Sequence, residues 1–178
     1  MDFEKALLKE HSRRQAEYIS GYVGKDKKKF AALLQFFLCN NYRLAQRAAY
    51  SVNLAAEKHP ELLNPHLPRI LKNLENPTIH DAVKRNTLRL LPLVNIPQRL
   101  HAKTIELSFG FFTNKAEPIA IRVFAMTVLA GFCKKYPELG NELVPLIEIE
   151  LAQGAEPAIK GRGQKILKAL QKHKAIKG

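Results

Sequence analysis

Several independent markers recur in this sequence at intervals of about 37 to 40 residues. Four arginines follow one another at sequence intervals of 38, 37 and 40: Arg47, Arg85, Arg122 and Arg162. Three prolines keep the intervals 37 and 40: Pro60, Pro97 and Pro137. The tetrapeptide AEPI at residues 116–119 returns one such interval later as AEPA at residues 155–158. A period shared by unrelated residue types predicts a series of similar structural units.

Apolar residues spaced three and four apart predict that each unit is a pair of helices. The predicted helices cover residues 3–20, 27–38, 44–56, 67–74, 81–94, 100–112, 116–135, 142–152 and 157–174. Asp26 is the expected N-cap of the second helix, and Gly21 and Gly24 are expected to break the first. Pro92 should kink the helix over 81–94 or end it near Leu91, because proline removes a backbone hydrogen bond.

A helix pair repeated at about this interval is typical of a HEAT or armadillo-like solenoid, in which stacked hairpins build the core jointly. We therefore predict an all-α fold, a right-handed α-solenoid of about four to five HEAT-like helical hairpins. A chain of 178 residues is long enough for one domain with a real core. We expect that domain to span residues 1–178, with capping helices at 1–39, central repeats at 40–155 and a basic C-terminal helix and tail at 156–178.

The segments QRAAYSV (residues 46–52) and IRVFAMT (121–127), with KKY at 134–136, resemble a group of small bacterial HEAT-like proteins over roughly residues 40–172. The resemblance implies the fold and no chemistry, since the group has no established activity. Some of its members carry an adenylosuccinate lyase label. The serine-rich turn and Met-Pro-Lys-Asn-Pro type run of that enzyme are absent here, and the chain is less than half its usual length. We reject the label as a function.

Net charge is the compositional feature that points to a partner. The chain has 29 Lys and Arg against 16 Asp and Glu, a formal charge of +13. Residues 154–178 alone hold seven basic side chains and one acidic one. Such a field attracts polyanions, and nucleic acid is the commonest polyanion in a cell. The alternative is a solvated face that keeps the protein soluble.

The repeated arginines have two interpretations. Each stands near the start of a second helix, where the matching arginine of HEAT proteins bonds acidic or carbonyl groups of the adjacent hairpin. Alternatively, Arg47, Arg85, Arg122 and Arg162 form a ladder that contacts phosphates. Arg89, one turn beyond Arg85, is harder to explain by stacking and is therefore a candidate ligand residue.

The last predicted helix is amphipathic. Its basic side chains are spaced two to four residues apart: Lys160, Arg162, Lys165, Lys168, Lys172 and Lys174. Ile159, Ile166, Leu167 and Leu170 form its apolar stripe. A solvated capping helix, a phosphate-contacting face and an anionic membrane surface are the three interpretations, and the flanking aromatic residues expected for the membrane are missing. Gly161 and Gly163 weaken the helix, so its start is either mobile or pressed closely against backbone.

The sequence favours no catalytic site, no metal site and no cofactor. The six histidines lack zinc-binding spacing, and no phosphate-cradling glycine loop or nucleophile motif occurs. His80 and Asp81 beside Arg85 are explained more simply by a helix N-terminus than by catalysis. Cys39 and Cys133 lie far apart in apolar runs and are expected to be small buried side chains of a cytoplasmic protein. No apolar stretch is long enough to span a membrane.

We therefore predict a non-enzymatic HEAT-repeat binding or scaffold protein, a monomer whose basic helical surface binds an acidic partner. That partner is DNA, RNA or an acidic protein. One alternative is a relative of the HEAT-like DNA alkylation-repair glycosylases, whose architecture is similar. Their site needs an aspartate flanked by tryptophans, and this chain has no tryptophan. A protein–protein adaptor without nucleic acid is the other alternative.

Overall fold

The computed structural model describes residues 1–177 of the chain and the side chains of residues 1–172. Throughout the described residues the regular structure is helical, without strands, which confirms the all-α prediction. The helices group by their contacts into two compact units, Met1–Leu100 and a second one that begins at His101. One domain over residues 1–178 stays a prediction.

Helix α4 is the centre of the first unit. The α-helices of this unit are α1 (Phe3–Lys9), α2 (Arg13–Val23), α3 (Lys27–Phe37), α4 (Tyr42–Lys58), α5 (Leu67–Asn73) and α6 (Asp81–Leu90). α4 packs against α1, α2, α3 and α6. Its buried side chains are mostly small, among them Ala45, Ala48 and Ala49, and small residues let neighbouring helices approach closely. Phe30, Phe37 and other large side chains of α3 fill the space beside them.

Helix α8 has the corresponding position in the described part of the second unit. The α-helices there are α7 (His101–Thr113), α8 (Ile119–Phe132), α9 (Gly140–Ala152) and α10 (Pro157–Lys177). α8 packs against the other three, and α10 also packs against α9, so α7–α8 and α9–α10 are helical hairpins. Three neighbours explain why the sequence of α8 is apolar nearly all round. Ile121, Ala125, Met126 and Leu129 are buried.

Short polar side chains fix where several helices begin. Asp26 accepts hydrogen bonds from the backbone N–H groups of Lys28 and Lys29, as predicted for the N-cap of α3. Asn41 does the same for α4 through the N–H groups of Arg43 and Leu44. The first N–H groups of a helix have no partner inside it, and each cap supplies one from a side chain.

The structure differs from the sequence prediction near the N-terminus. The helix predicted over residues 3–20 is two helices, because the backbone is extended at Glu10, with φ −155° and ψ 158°, and α2 begins only after Ser12. Ser12 Oγ accepts from the N–H of Gln15 at 3.0 Å and so caps α2. The prediction for Gly21 was also wrong: Gly21 lies within α2, and Gly24, with φ 50°, follows its end. Glycine adopts that left-handed backbone without strain.

Prolines set the other boundaries largely as predicted. α6 ends at Leu90, and Leu91–Leu93, which contains Pro92, is a single 3-10 turn. The prediction that Pro92 ends this helix near Leu91 is therefore confirmed. Pro60–Leu62 and Pro137–Leu139 are 3-10 turns that follow α4 and α8. Proline is tolerated at the first position of such a turn, where its missing N–H would have no partner.

Candidate functional site

Arg47 lies on α4, and its guanidinium group reaches the end of α1. Nη1 donates hydrogen bonds to the carbonyl oxygens of Leu7 and Leu8, both at 2.9 Å. The last carbonyls of a helix have no partner within the helix, and a cation there also favours the negative end of the helix dipole. Arg47 therefore fastens α1 to α4, as the structural interpretation of the repeated arginines predicted.

Arg122 joins three helices of the second unit. From α8, its Nε donates to the carbonyl oxygen of Phe112 in the last turn of α7, at 2.9 Å. Its Nη2 lies 2.8 Å from Oε1 of Glu150 on α9, and the two side chains are only 9% and 16% exposed. The contact with Glu150 is an ion pair whose angles are not those of a hydrogen bond. A guanidinium held on two sides in this way keeps helices together, so Arg122 has the same structural role as Arg47.

The other two arginines of the repeat have no such partner. Arg85 is exposed on α6, and Arg162 is half-buried on α10. Neither side chain forms a hydrogen bond or an ion pair with the part of the chain whose side chains are described. At equivalent repeat positions, the guanidinium groups of Arg47 and Arg122 therefore bind groups of neighbouring helices, whereas those of Arg85 and Arg162 have no such partner. Their binding of a ligand stays a prediction.

Arg89 has a partner that the sequence did not indicate. Its Nη2 lies 2.5 Å from Oε1 of Glu57, so the pair bridges α6 and α4. Both side chains are partly exposed, and an ion pair in such a place contributes up to about 1 kcal/mol. The ion pair gives Arg89 a role in helix packing, a role that the sequence did not indicate. Its role as a ligand residue stays a prediction.

The exposed lysines of α10, up to residue 172, form a group of basic side chains without acidic partners. Lys165, Lys168 and Lys172 are spaced by three and four residues, so they share one face, which we call the lysine face. The side chains of Ile159 and Ile166 are buried on the other side of the helix. Lys160 is also exposed but is not part of this face. The side chain of Lys174 lies outside the described residues. Up to residue 172, no basic side chain of α10 forms a hydrogen bond or an ion pair.

Charges of opposite sign are separated between the two helices of the last hairpin. α9 carries Glu142, Glu148 and Glu150 and has no lysine or arginine. α10 has no aspartate or glutamate. Glu150 is paired with Arg122 of α8, and no glutamate of α9 forms an ion pair with the lysine face. The hairpin is therefore acidic on one helix and basic on the other.

The two glycines of α10 have different surroundings. A Cβ atom built on Gly163 would lie 2.8 Å from Cγ2 of Ile147, whereas one on Gly161 would meet nothing within 4 Å. Gly163 is thus the place where α10 comes close to α9. Of the two sequence interpretations, close packing is the one observed at Gly163, although the neighbour is a side chain and not backbone. Gly161 faces open space.

A small cleft that is open to solvent lies between α1, α2 and α4. Glu10, His11, Ser12, Arg47 and Tyr50 line it together with apolar side chains. The pKa of Glu10 is lowered, first by its hydrogen bond from Ser12 and then by the charge of Arg14. Because Arg47 already binds two carbonyl groups and Glu10 already binds Ser12, the cleft's charged groups are engaged in holding the helix ends.

An aromatic pair that the sequence analysis did not identify lies at the start of α4 and α6. The rings of Tyr42 and His80 stack with centroids 6.1 Å apart and an angle of 22° between their planes. His80 is the N-cap of α6, because its Nδ1 accepts the N–H of Ala82 at 3.0 Å. The sequence interval between the two aromatic residues is close to the repeat period, and that was the available signal.

The residues considered for catalysis have structural partners. His80 caps α6, and Asp81 lies 3.7 Å from Nζ of Lys84. In the described part of the chain, no three His, Cys, Asp or Glu side chains are grouped so that they could hold a metal ion. Each helix described there is too short or too polar to cross a bilayer.

Comparison with curated proteins gives no match, and comparison with solved structures gives none either. The family comparison does give one, to a model described as a HEAT repeat domain, and it covers residues 3–170. HEAT repeats are stacked helical hairpins that commonly serve as binding scaffolds, which agrees with the α7–α8 and α9–α10 hairpins. Because the match extends over nearly the whole chain, the protein belongs to the HEAT-repeat family, and the α-solenoid class predicted from its period is confirmed.

Proposed function

We propose that this HEAT-repeat protein binds an acidic macromolecule, nucleic acid in particular, through the lysine face of α10. The observation that supports the proposal is the absence of any acidic side chain on α10 and of any ion pair to its described lysines. Unpaired surface cations keep a full attraction for a polyanion, because no internal partner has to be displaced. Binding also releases the counterions of the polyanion, which favours association at low salt.

The length of the lysine face fits an extended ligand. Lys165 and Lys172 are seven residues apart, or about 10 Å along the helix axis. Duplex DNA carries one phosphate per about 1.7 Å of axis, so a segment of that length offers several phosphates to three lysines. Residues 157–172 include no aromatic side chain that could stack on a base. The face is therefore suited to the phosphate backbone, and binding should be independent of base sequence.

The experiment is a titration of fluorescently labelled duplex DNA followed by anisotropy, at several salt concentrations from about 50 mM upward. The test variant is Lys165→Gln/Lys168→Gln/Lys172→Gln, which removes the face but keeps the side-chain length. We expect tight binding at low salt, a steep decrease as salt rises, and a shallower salt dependence for the variant. For each phosphate that the variant no longer neutralises, the slope of log K against log salt should fall by about 0.9.

A second triple variant serves as the control for net charge. It removes three exposed lysines at the ends of separate helices in the first unit: Lys9→Gln, Lys58→Gln and Lys72→Gln. Both variants have the same net charge, so only clustering distinguishes them. Equal weakening by the two variants would exclude the lysine face, and no binding of duplex at about 50 mM salt would exclude duplex DNA. An acidic protein that binds the same face would displace the labelled DNA in this assay and lower its anisotropy.

A further inference from the structure

We propose that Tyr42 is a stacking platform for an unpaired base of single-stranded nucleic acid. The platform consists of the stacked rings of Tyr42 and His80, and an exposed arginine follows each ring in the sequence, Arg43 and Arg85. All four residues belong to the first unit, and none belongs to the lysine face. The proposal therefore stands or fails separately from the one for α10.

The geometry holds the tyrosine ring in place and leaves it accessible. Asn41 caps α4 through the N–H groups of Arg43 and Leu44, which fixes the backbone on both sides of Tyr42. His80 is fixed in turn by its hydrogen bond from the N–H of Ala82. The two rings are nearly parallel, yet 65% of Tyr42 is exposed. A ring that stacks on a neighbour while most of its surface stays exposed can accept a third aromatic plane at little cost in conformational entropy.

The unpaired cations that follow the two rings in the sequence favour a phosphate backbone. Arg43 directly follows Tyr42 and is exposed, and its side chain forms no bond with the described side chains. Arg85, also without a partner, lies five residues beyond His80. The acidic neighbour Asp81 lies 3.7 Å from Nζ of Lys84, which offsets its charge. Aromatic rings flanked by free cations are the arrangement with which proteins bind single strands, stacking on bases while the cations follow the phosphates.

The bases of a duplex are stacked on one another and paired, so a fixed surface ring cannot reach their faces. Those of a single strand are free to stack, and nearly any base will do, because each has an aromatic face. The two proposals thus differ in the ligand feature they require, since the Tyr42 surface needs an accessible base and the lysine face needs only phosphates. We expect Tyr42 to contribute only when the ligand is single-stranded.

Tyr18 offers a matched control. It is 63% exposed, nearly the same as Tyr42, but no aromatic ring stacks on it within the described residues. The arginines five and four residues before it on α2, Arg13 and Arg14, are paired with Glu17 and Glu10. A substitution at Tyr18 therefore removes an equally exposed tyrosine that lacks both features of the platform.

The test measures the anisotropy of a labelled oligothymidylate of about 12 nucleotides and, in parallel, of a duplex of the same length. Tyr42→Ala and Tyr42→Leu should each weaken single-strand binding by about 5- to 100-fold and leave duplex binding within about twofold. Tyr42→Phe should bind the single strand within about twofold of the unmodified protein, since the stacking face is kept. Tyr18→Ala should leave both ligands unchanged. Circular dichroism and the urea midpoint of each variant establish that it is folded.

A second readout uses the protein's own fluorescence, because the chain has five tyrosines and no tryptophan. Stacking of a base on Tyr42 should quench part of the tyrosine emission. That part should disappear in Tyr42→Phe even though affinity is retained. The proposal is overturned if the single strand does not bind, if Tyr42→Ala weakens both ligands equally, or if Tyr18→Ala has the same effect. Loss of binding only in the lysine-face variant would support the α10 proposal and contradict this one.

Discussion

Arg122 and Glu150 face each other at 2.8 Å in the interior of the second unit, joining α8 to α9. Two ionised groups removed from water cost free energy, and their attraction compensates only when further polar contacts support the pair. Here the Nε of Arg122 is bonded to the carbonyl oxygen of Phe112, which brings α7 into the same arrangement. The arginine therefore sets how three helices meet.

Removing Arg122 should be strongly destabilising. Arg122→Ala leaves Glu150 mostly buried without its partner and frees a helix-end carbonyl, so we expect unfolding to become easier by about 3–5 kcal/mol. Urea denaturation followed by circular dichroism measures this loss. The double variant Arg122→Met/Glu150→Leu, which removes both charges and keeps apolar volume, should be less destabilised than Arg122→Ala. If the double variant is more destabilised than Arg122→Ala, the loss does not come from leaving Glu150 buried without its partner.

Arg47 and Arg85 occupy equivalent positions in the repeat but should differ in their effect on stability. Arg47→Ala removes two hydrogen bonds to the end of α1, so we expect a loss of about 1.5–3 kcal/mol. Arg85→Ala removes an exposed side chain without a partner, and its effect should stay within about 0.5 kcal/mol. Hydrogen exchange should show that the loss from Arg47→Ala is concentrated in α1. Equal effects of the two substitutions would contradict the assignment.

The two glycines of α10 should respond to alanine in opposite directions. Gly161→Ala places a methyl group in open space and improves helix propensity, so it should stabilise the protein by about 0.5–1 kcal/mol. Gly163→Ala forces a methyl group against Cγ2 of Ile147, a stiff β-branched side chain, and should destabilise it by about 1–3 kcal/mol. Thermal unfolding of the two variants gives the comparison. Stabilisation by both would mean that α9 and α10 are further apart at Gly163.

The two cysteines should differ in reactivity. Both thiols are free, Cys133 is buried and Cys39 is only half-buried. Burial raises the pKa of the Cys133 thiol, so less thiolate is present at a given pH than in the unfolded chain. A thiol reagent at about pH 8 should label Cys39 quickly and Cys133 only on unfolding, and Cys39→Ser should abolish the fast phase.

The same raised pKa has a consequence for stability. The folded state holds the Cys133 proton more tightly than the unfolded state does. The resulting stabilisation is present below the ordinary thiol pKa of about 8.5 and is lost as pH rises through the folded-state value. Cys133→Ala should therefore make the free energy of unfolding less dependent on pH above about 8.5. An unchanged pH dependence would contradict the role given to this thiol.

The sequence predicted those features that depend on neighbouring residues. The spacing of apolar side chains placed the helices, and Asp26 and Pro92 marked boundaries that the structure has. The break at Glu10 was also signalled, since Ser12 followed three residues later by Gln15 is a capping-box pattern. The apolar spacing on either side of this pattern favoured one continuous helix, and the predicted helix therefore ran through it.

Contacts between distant residues could not be predicted in the same way. The partners of Arg47 lie 40 and 39 residues earlier in the chain, and the partner of Arg89 lies 32 residues earlier. Which arginine is fastened and which is free depends on where neighbouring helices end, and a repeat period does not contain that information. The stack of Tyr42 on His80 depends in the same way on two helix starts that lie side by side.

If the proposed polyanion is the partner, the opposite charges of α9 and α10 also affect how it approaches. A hairpin with carboxylates on one helix and ammonium groups on the other has an electric dipole moment across its width. In the field of a charged filament such a body experiences a torque, which turns its positive side toward the filament before contact. A larger fraction of collisions then begins in a productive orientation, and dissolved ions should reduce this advantage by shortening the range of the field.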